Sequence, residues 1–79
     1  MPSSKAMLAT ALAKANTAVQ LDNTQSYDFA LKYYGEACVL LSQLVTRSSH
    51  EEHKQKLRAI RRTYLQRMEQ LGGATSEES

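Results

Sequence analysis

Apolar residues recur at alternating steps of three and four between residues 27 and 45. On an α-helix this spacing brings their side chains into one continuous stripe. A second, looser apolar stripe follows the same segment, so we expect the helix to pack against two neighbours, or against one neighbour and a binding partner. We therefore predict the central helix of a small helical bundle. The first stripe consists of Tyr27, Ala30, Leu31, Tyr34, Ala37, Cys38, Leu41, Leu44 and Val45, and the second of Phe29, Tyr33 and Leu40.

The length of the chain favours one small domain. A chain of 79 residues buries only roughly 60% of the surface that its unfolded form exposes, which leaves little room for an enclosed active site. The single cysteine, Cys38, excludes an intramolecular disulfide and is expected to be a small buried thiol in a reducing compartment. No apolar run approaches the ~18 residues of a membrane-spanning helix. Lys14 and Asn16 interrupt any apolar core of a signal peptide in residues 1–20.

Two further apolar stripes predict a helix on either side of the central one. We expect helices near residues 4–22, 25–47 and 50–71, joined by short polar junctions. Helices joined by short junctions run antiparallel to each other. The predicted fold is therefore all-α, a three-helix antiparallel bundle. The outer stripes are Leu8, Ala11, Leu12, Ala15, Ala18 and Val19 in the first helix and Leu57, Ile60, Tyr64, Met68 and Leu71 in the third.

Serine and threonine residues before each predicted helix are candidates for N-caps, because their side-chain oxygens can accept a backbone N–H bond. In a capping box, a glutamate three residues later bonds back to the cap. The candidates are Ser3 or Ser4 for the first helix, Thr24 or Ser26 for the second, and Ser49 with Glu52 or Ser48 with Glu51 for the third.

The pair Gly72–Gly73 is expected to stop the third helix, since glycine readily adopts the left-handed conformation of a C-cap. Residues 1–73 then form the domain. Residues 74–79 are small, polar and acidic, and they are predicted to be a disordered tail or the start of a linker.

Two groups of residues invite a search for chemistry. His50-Glu51-Glu52-His53 places two histidines three apart at an exposed helix start, whereas zincins need a spacing of four and a third ligand. Cys38 would need a neighbouring base to act as a nucleophile, and both histidines are far away in the sequence. We therefore predict no metal site, no cofactor and no catalytic site: the histidines belong to a solvated first turn and the cysteine to the core.

The third helix is basic, with six of the ten lysines and arginines of the chain in its region. Such a surface could attract nucleic acid or an anionic membrane. Glutamates interrupt it, and its charged face lacks the aromatic residues that stack on bases, so we predict no nucleic-acid binding. Leu65 is apolar but lies off the core stripe, beside Arg58, Arg62 and Glu69. It is either a peripheral core residue or the floor of a charge-rimmed groove for an amphipathic peptide.

Several segments together resemble the MIT (microtubule-interacting and trafficking) domain. The resemblance covers about residues 6 to 71, and its closing Tyr-Leu-x-Arg-x-Glu-x-Leu run is the most specific part. Tyr-x-x-Ala-x-x-x-Tyr alone also occurs in tetratricopeptide repeats. The matching segments are Ala18-x-x-x-Asp22, Tyr27-x-x-Ala30-Leu31-x-x-Tyr34-x-x-Ala37, Leu57-Arg58-Ala59 and Tyr64-Leu65-x-Arg67-x-Glu69-x-Leu71.

The resemblance implies a three-helix bundle that binds short C-terminal tail motifs of ESCRT-III subunits. Members of the family dock a helical motif between helices two and three, or an extended, proline-containing motif between helices one and three. Leu65 matches the family leucine that faces the helical motif, and Glu69 matches an acid that can pair with a basic tail residue. The implied setting is cytoplasmic and endosome-associated, with a monomeric module that reaches membranes through its partners.

Two positions depart from the family pattern. Gln66 stands where members that bind the helical motif best often have Asp, which removes a charged partner for a tail arginine. Ala15 stands where larger aliphatic residues often line the groove between helices one and three. The candidate peptide-binding residues are Leu65, Glu69, Arg62, Arg58, Gln66, Leu40, Tyr33 and Ala15.

Two other functions remain open at this point. One is a tetratricopeptide-like scaffold module in a constitutive complex, which would not need Leu65 or the closing run of the third helix. The other is a domain that binds membranes or microtubules through the basic helix, which would favour a basic face without Glu52 and Glu69.

Overall fold

The computed structural model describes residues 3–76, with side chains up to residue 72. It consists of three helices, α1 (Ser4–Asn23), α2 (Tyr27–Arg47) and α3 (Glu51–Ser76). Within residues 3–76 there is no strand. The all-α, three-helix prediction is confirmed. None of the helices in the described part of the chain is long and apolar enough to cross a membrane.

The start of α1 is capped as the sequence predicts. Ser3 precedes the helix, and its hydroxyl oxygen accepts a hydrogen bond from the backbone N–H of Ala6 at 3.1 Å. Ser26 occupies the corresponding position before α2, but it makes no side-chain capping bond there. The prediction of a side-chain cap for α2 was therefore wrong. The hydroxyl of Thr24 instead bonds to the carbonyl of Leu21 at 3.0 Å, as short polar side chains often do in turns.

The first residue of α3 is Glu51, so His50 and not a serine holds the capping position. Ser49 lies one position too early for the predicted box with Glu52. The hydroxyl of Ser48 lies 3.4 Å from the backbone nitrogen of His50. The predicted capping boxes were therefore wrong, because α3 begins one residue too late for Ser49 to be its cap and the Ser48 hydroxyl lies within the turn.

The predicted stop at Gly72–Gly73 was also wrong, since α3 continues to Ser76. None of the glycines described in the structure has a positive φ. A glycine ends a helix only where it turns left-handed, and otherwise it costs the helix only about 1 kcal/mol. Residues 74–76, which the sequence placed in a disordered tail, are helical, and residues 77–79 of that tail lie outside the described residues.

The core consists of two clusters, one towards each end of the bundle. Leu41 is fully buried in the first cluster, where α1 begins and α2 ends, and Tyr34 lies in the second, where α1 ends and α2 begins. This arrangement makes α1 and α2 antiparallel. The buried residues are Met7, Ala11, Leu41 and Leu44 in the first cluster and Ala18, Ala30, Tyr34 and Leu71 in the second.

The helix α2 is central, because it packs closely against both α1 and α3, whereas α1 and α3 make few direct contacts with each other. The buried positions of α1 are mostly alanines, whose small side chains allow α2 to come close. Cys38 is buried on α2, as predicted. The consequence for function is that α3 is flanked by two grooves, one shared with α2 and one shared with α1.

Candidate peptide-binding grooves

The groove between α2 and α3 contains a cavity of about 410 Å³. Leu65 forms part of its wall and is 47% exposed, and Val39 faces it from α2 and is 57% exposed. Two large apolar side chains on neighbouring helices are thus exposed to solvent at this groove. The other residues that line the cavity are Gly35, Cys38, Ser42, Arg61 and Met68.

Small residues of α2 let α3 approach at this groove. A Cβ added to Gly35 would lie 3.5 Å from the methyl carbon of Met68. Further along, the Arg61 guanidinium donates to the Ser42 hydroxyl at 3.0 Å, which joins the two helices across the groove. The Cys38 thiol lies 3.9 Å from the carbonyl of Arg61, and burial raises the pKa of this thiol. Cys38 therefore behaves as a protonated packing residue.

The structure places Leu65 at the exposed edge of the core, beside the charged residues that the sequence grouped with it. Arg58, Arg62 and Glu69 follow the flank of Leu65 at helical spacing, and all three are exposed. The Arg58 guanidinium lies 3.4 Å from the Glu51 carboxylate, in an ion pair exposed to solvent. Gln66 is exposed as well. The role of these residues in binding stays a prediction.

Three other predicted site residues lie elsewhere. Tyr33 faces α1, with the Lys14 ammonium 5.8 Å from its ring centre. Leu40 packs against the first core cluster. Ala15 is buried, with 1% exposure, and it does not line the cavity between α1 and α3. Tyr33 and Leu40 thus lie outside the lining of the cavity between α2 and α3, and the role of all three residues in binding stays a prediction.

Val39 was missed by the sequence analysis, although its spacing contained a signal. It lies four residues after Gly35 and three before Ser42, so the three residues share one helix flank. Val39 is exposed because α2 and α3 are separated by a gap at this point. The apolar periodicity of a single helix does not reveal such a gap between two helices.

The groove between α1 and α3 opens at the end where both helices begin. Its cavity has a volume of about 600 Å³, and we call this opening the mouth. Leu8 and Leu12 of α1 face Leu57 and Ile60 of α3 across it. The remaining lining residues are Ser4, Lys5, Leu44, Arg47, Ser48, Ser49, His50, His53 and Lys56.

The same groove is closed at its other end by an ion pair, which we call the clasp. The Arg67 guanidinium donates to both carboxylate oxygens of Asp22, at 2.6 and 2.7 Å. The Tyr34 hydroxyl donates to the same carboxylate at 3.1 Å. Bidentate pairs of this kind fix the relative orientation of the two groups. The clasp thus ties α1 to α3 and adds a contact from α2.

The clasp changes how its members titrate. The hydrogen bonds from Arg67 lower the pKa of the Asp22 carboxyl, although partial burial opposes this effect. Burial, together with the hydrogen bond to Asp22, raises the pKa of Tyr34 to about 12. Asp22 is therefore ionised and Tyr34 neutral throughout the physiological range, so the clasp stays intact across it.

The two histidines at the mouth lie against each other. The ring centres of His50 and His53 are 5.1 Å apart, in an edge-to-face arrangement. Among the described residues, no group of three or more His, Cys, Asp or Glu side chains is arranged to hold a metal ion.

A three-helix bundle with an apolar groove on each side of its third helix has the form of a protein-interaction module. Comparison with known families agrees: the family model of the MIT (microtubule interacting and transport) domain matches residues 8–72, and the chain belongs to this family. As an MIT domain it is a module that binds partner proteins. Neither a curated protein nor a solved structure matches the chain significantly.

Proposed function

We propose that this MIT domain binds C-terminal tail segments of ESCRT-III subunits and so recruits its parent protein to endosomal membranes from the cytoplasmic side. The observation that carries the proposal is the exposure of Leu65 beside the cavity between α2 and α3. This leucine matches the family position that contacts a helical tail. The domain acts in this role by binding, without a catalytic step of its own.

The chemistry of the α2–α3 groove suits an amphipathic helix. Such a helix places its apolar face into a groove and leaves its charged face in water. Leu65 and Val39 offer an apolar floor, and Arg58, Arg62 and Glu69 offer charges of both signs beside it. Charges at the rim contribute to orientation and encounter rate more than to affinity. We therefore expect the apolar contacts to dominate the affinity.

A titration of a labelled helical ESCRT-III tail peptide tests the proposal. Leu65→Asp should weaken peptide binding roughly tenfold or more. The new carboxylate would be desolvated against an apolar residue of the bound tail, which is unfavourable. It should leave the fold intact, since Leu65 is 47% exposed. Thermal melting of the same variant checks the second expectation.

Leu12→Asp is the matched control for the helical-tail titration. Leu12 is 39% exposed and lies at the mouth of the other groove, so this variant should fold and bind the helical tail as the parent does. Leu57→Asp serves as a positive control for unfolding, because Leu57 packs against the first core cluster. Helical-tail binding unchanged by Leu65→Asp would contradict the assignment of the α2–α3 groove. The absence of binding to every helical and extended ESCRT-III tail would contradict the proposed function.

A further inference from the structure

The junction between α2 and α3 contains two serines, and neither is the N-cap of α3, since His50 holds that position. Ser48 continues the chain in an extended conformation, with φ −74° and ψ 138°, and its hydroxyl lies 3.4 Å from the backbone nitrogen of His50. Ser49 is exposed and lies outside both helices. The Ser49 hydroxyl is therefore accessible to an enzyme that modifies extended segments.

The residues after Ser49 match the substrates of one class of serine kinase. Glu51 and Glu52 follow it at the second and third positions, and their side chains are 68% and 80% exposed. Acid-directed kinases select a serine by such carboxylates, which pair with basic residues in the substrate groove of the kinase. The serine–glutamate spacing that suggested a capping box thus has a second explanation, which the position of Ser49 before the cap allows.

The start of α3 can open to present this segment. A kinase holds the residues around its acceptor in an extended form, so Glu51 and Glu52 have to leave the helix. They are its first two residues, and the backbone N–H groups of a first turn have no partner within the helix. The backbone N–H of Lys54 donates to the carbonyl of His50 at 3.0 Å, and breaking a bond at a helix end costs little, because helix ends open easily.

The mouth beside Ser49 is positively charged. Three cations line its cavity together with Ser49, and each comes from a different helix: Lys5, Arg47 and Lys56. In the described part of the chain, no acidic side chain lines this cavity. Glu52 lies 3.9 Å from Lys56, but an ion pair this long and this exposed contributes little. A phosphate on Ser49 would therefore meet cations to which its oxygens can bond.

We propose that Ser49 is a phosphorylation site for an acid-directed kinase, and that the phosphoserine links Lys5 of α1 to Lys56 of α3 across the mouth. In the reaction, the Ser49 hydroxyl oxygen bonds to the γ-phosphorus of ATP and the bond from that phosphorus to the β–γ bridging oxygen breaks. ADP leaves, and the hydroxyl proton passes to the base of the kinase. The phosphate carries about 1.5 to 2 negative charges at neutral pH. The α1–α3 groove then has an ionic link at each end, the clasp at one and the phosphoserine at the other.

The acceptor is tested by incubating the chain with a purified acid-directed serine kinase and ATP, followed by mass spectrometry of the intact chain and its peptides. Thr75 also has a glutamate three residues later, Glu78, so Thr75→Ala with Ser76→Ala is the background variant. This background should take up one phosphoryl group, located at Ser49, and adding Ser49→Ala should slow the uptake about tenfold or more. No incorporation in the background variant, or incorporation at Ser48 alone, would overturn the proposal.

The link across the mouth is tested by thermal melting of the background variant before and after phosphorylation at Ser49. Phosphorylation should raise the melting temperature by a few degrees at low salt. The rise should shrink as salt is added, because exposed charges are screened. An unchanged or lower melting temperature would overturn the link.

Two double variants with the same change in net charge separate the link from a general charge effect. Lys5→Gln with Lys56→Gln should remove most of the rise that phosphorylation produces. Lys32→Gln with Arg62→Gln replaces two exposed cations that do not line the mouth, and it should keep the rise. Equal losses in the two variants would show that the phosphate responds to net charge alone and would overturn the link.

Discussion

The two ends of the α1–α3 groove are built from opposite kinds of group. At the clasp, Asp22 and Arg67 meet at 2.6 Å, and only 10% of the aspartate side chain is exposed. At the mouth, a cavity of about 600 Å³ lies between the same two helices. A nearly buried carboxylate is costly to leave without partners, whereas half-buried leucines tolerate water. The clasp therefore fixes where α1 and α3 lie, whereas the mouth leaves an open cavity between the same helices.

Of the substitutions at and near the clasp, Arg67→Ala should lower the free energy of unfolding the most. It removes both donors of the bidentate pair and leaves the nearly buried Asp22 with Tyr34. Because Arg67 is itself 42% exposed, we expect a moderate loss of unfolding free energy, larger than the loss expected for Tyr34→Phe. Chemical denaturation measures it, with Arg62→Ala, an exposed arginine of the same helix, as the control. Equal losses in the two variants would show that the clasp has no special role.

Tyr34→Phe should lower the free energy of unfolding by a smaller amount, about 1 kcal/mol near neutral pH, because it removes one hydrogen bond to Asp22. The pKa of Tyr34 is raised to about 12 from an ordinary value of 10.0. Between these two values the Tyr34 hydroxyl therefore stays protonated in the folded state but is deprotonated in the unfolded state. The stabilisation by Tyr34 is fully present below the ordinary value and decreases as the pH rises from there towards about 12.

Denaturation curves across this alkaline range, compared between the parent and Tyr34→Phe, check the prediction for Tyr34. The difference in stability between the two proteins should shrink steadily with rising pH. A constant difference would mean that the hydroxyl is not shielded in the folded state.

The smallest change in stability is expected for a substitution at Gly72, five residues after the clasp residue Arg67 on α3. Gly72 is helical, and a Cβ added to it would meet nothing within 4 Å. Gly72→Ala should therefore stabilise the protein by about 0.5–1 kcal/mol through helix propensity. A rise in melting temperature of a few degrees is the readout. A fall would indicate that α3 needs a glycine at this point.

Much of the fold was predictable because each helix carries its own periodic signal. The stripe of α2 predicted its buried face, and the off-stripe position of Leu65 predicted its exposure. The clasp was not predicted, since Asp22 and Arg67 are 45 residues apart and a charge pair between helices leaves no periodic trace. Apolar spacing does not distinguish a helix flank that meets another helix from one that meets a ligand, so the assignment of Tyr33 and Leu40 to the binding surface stays a prediction.

The central position of α2 also has a consequence for the order in which the bundle forms. Contacts of α2 with α1 and with α3 join segments that are adjacent in the chain, and such contacts form early and fast. The link between Asp22 and Arg67 closes a loop of 45 residues and should form after the folding transition state. Arg67→Ala is then expected to accelerate unfolding and to leave the folding rate nearly unchanged. We therefore expect the clasp to lengthen the lifetime of the native state.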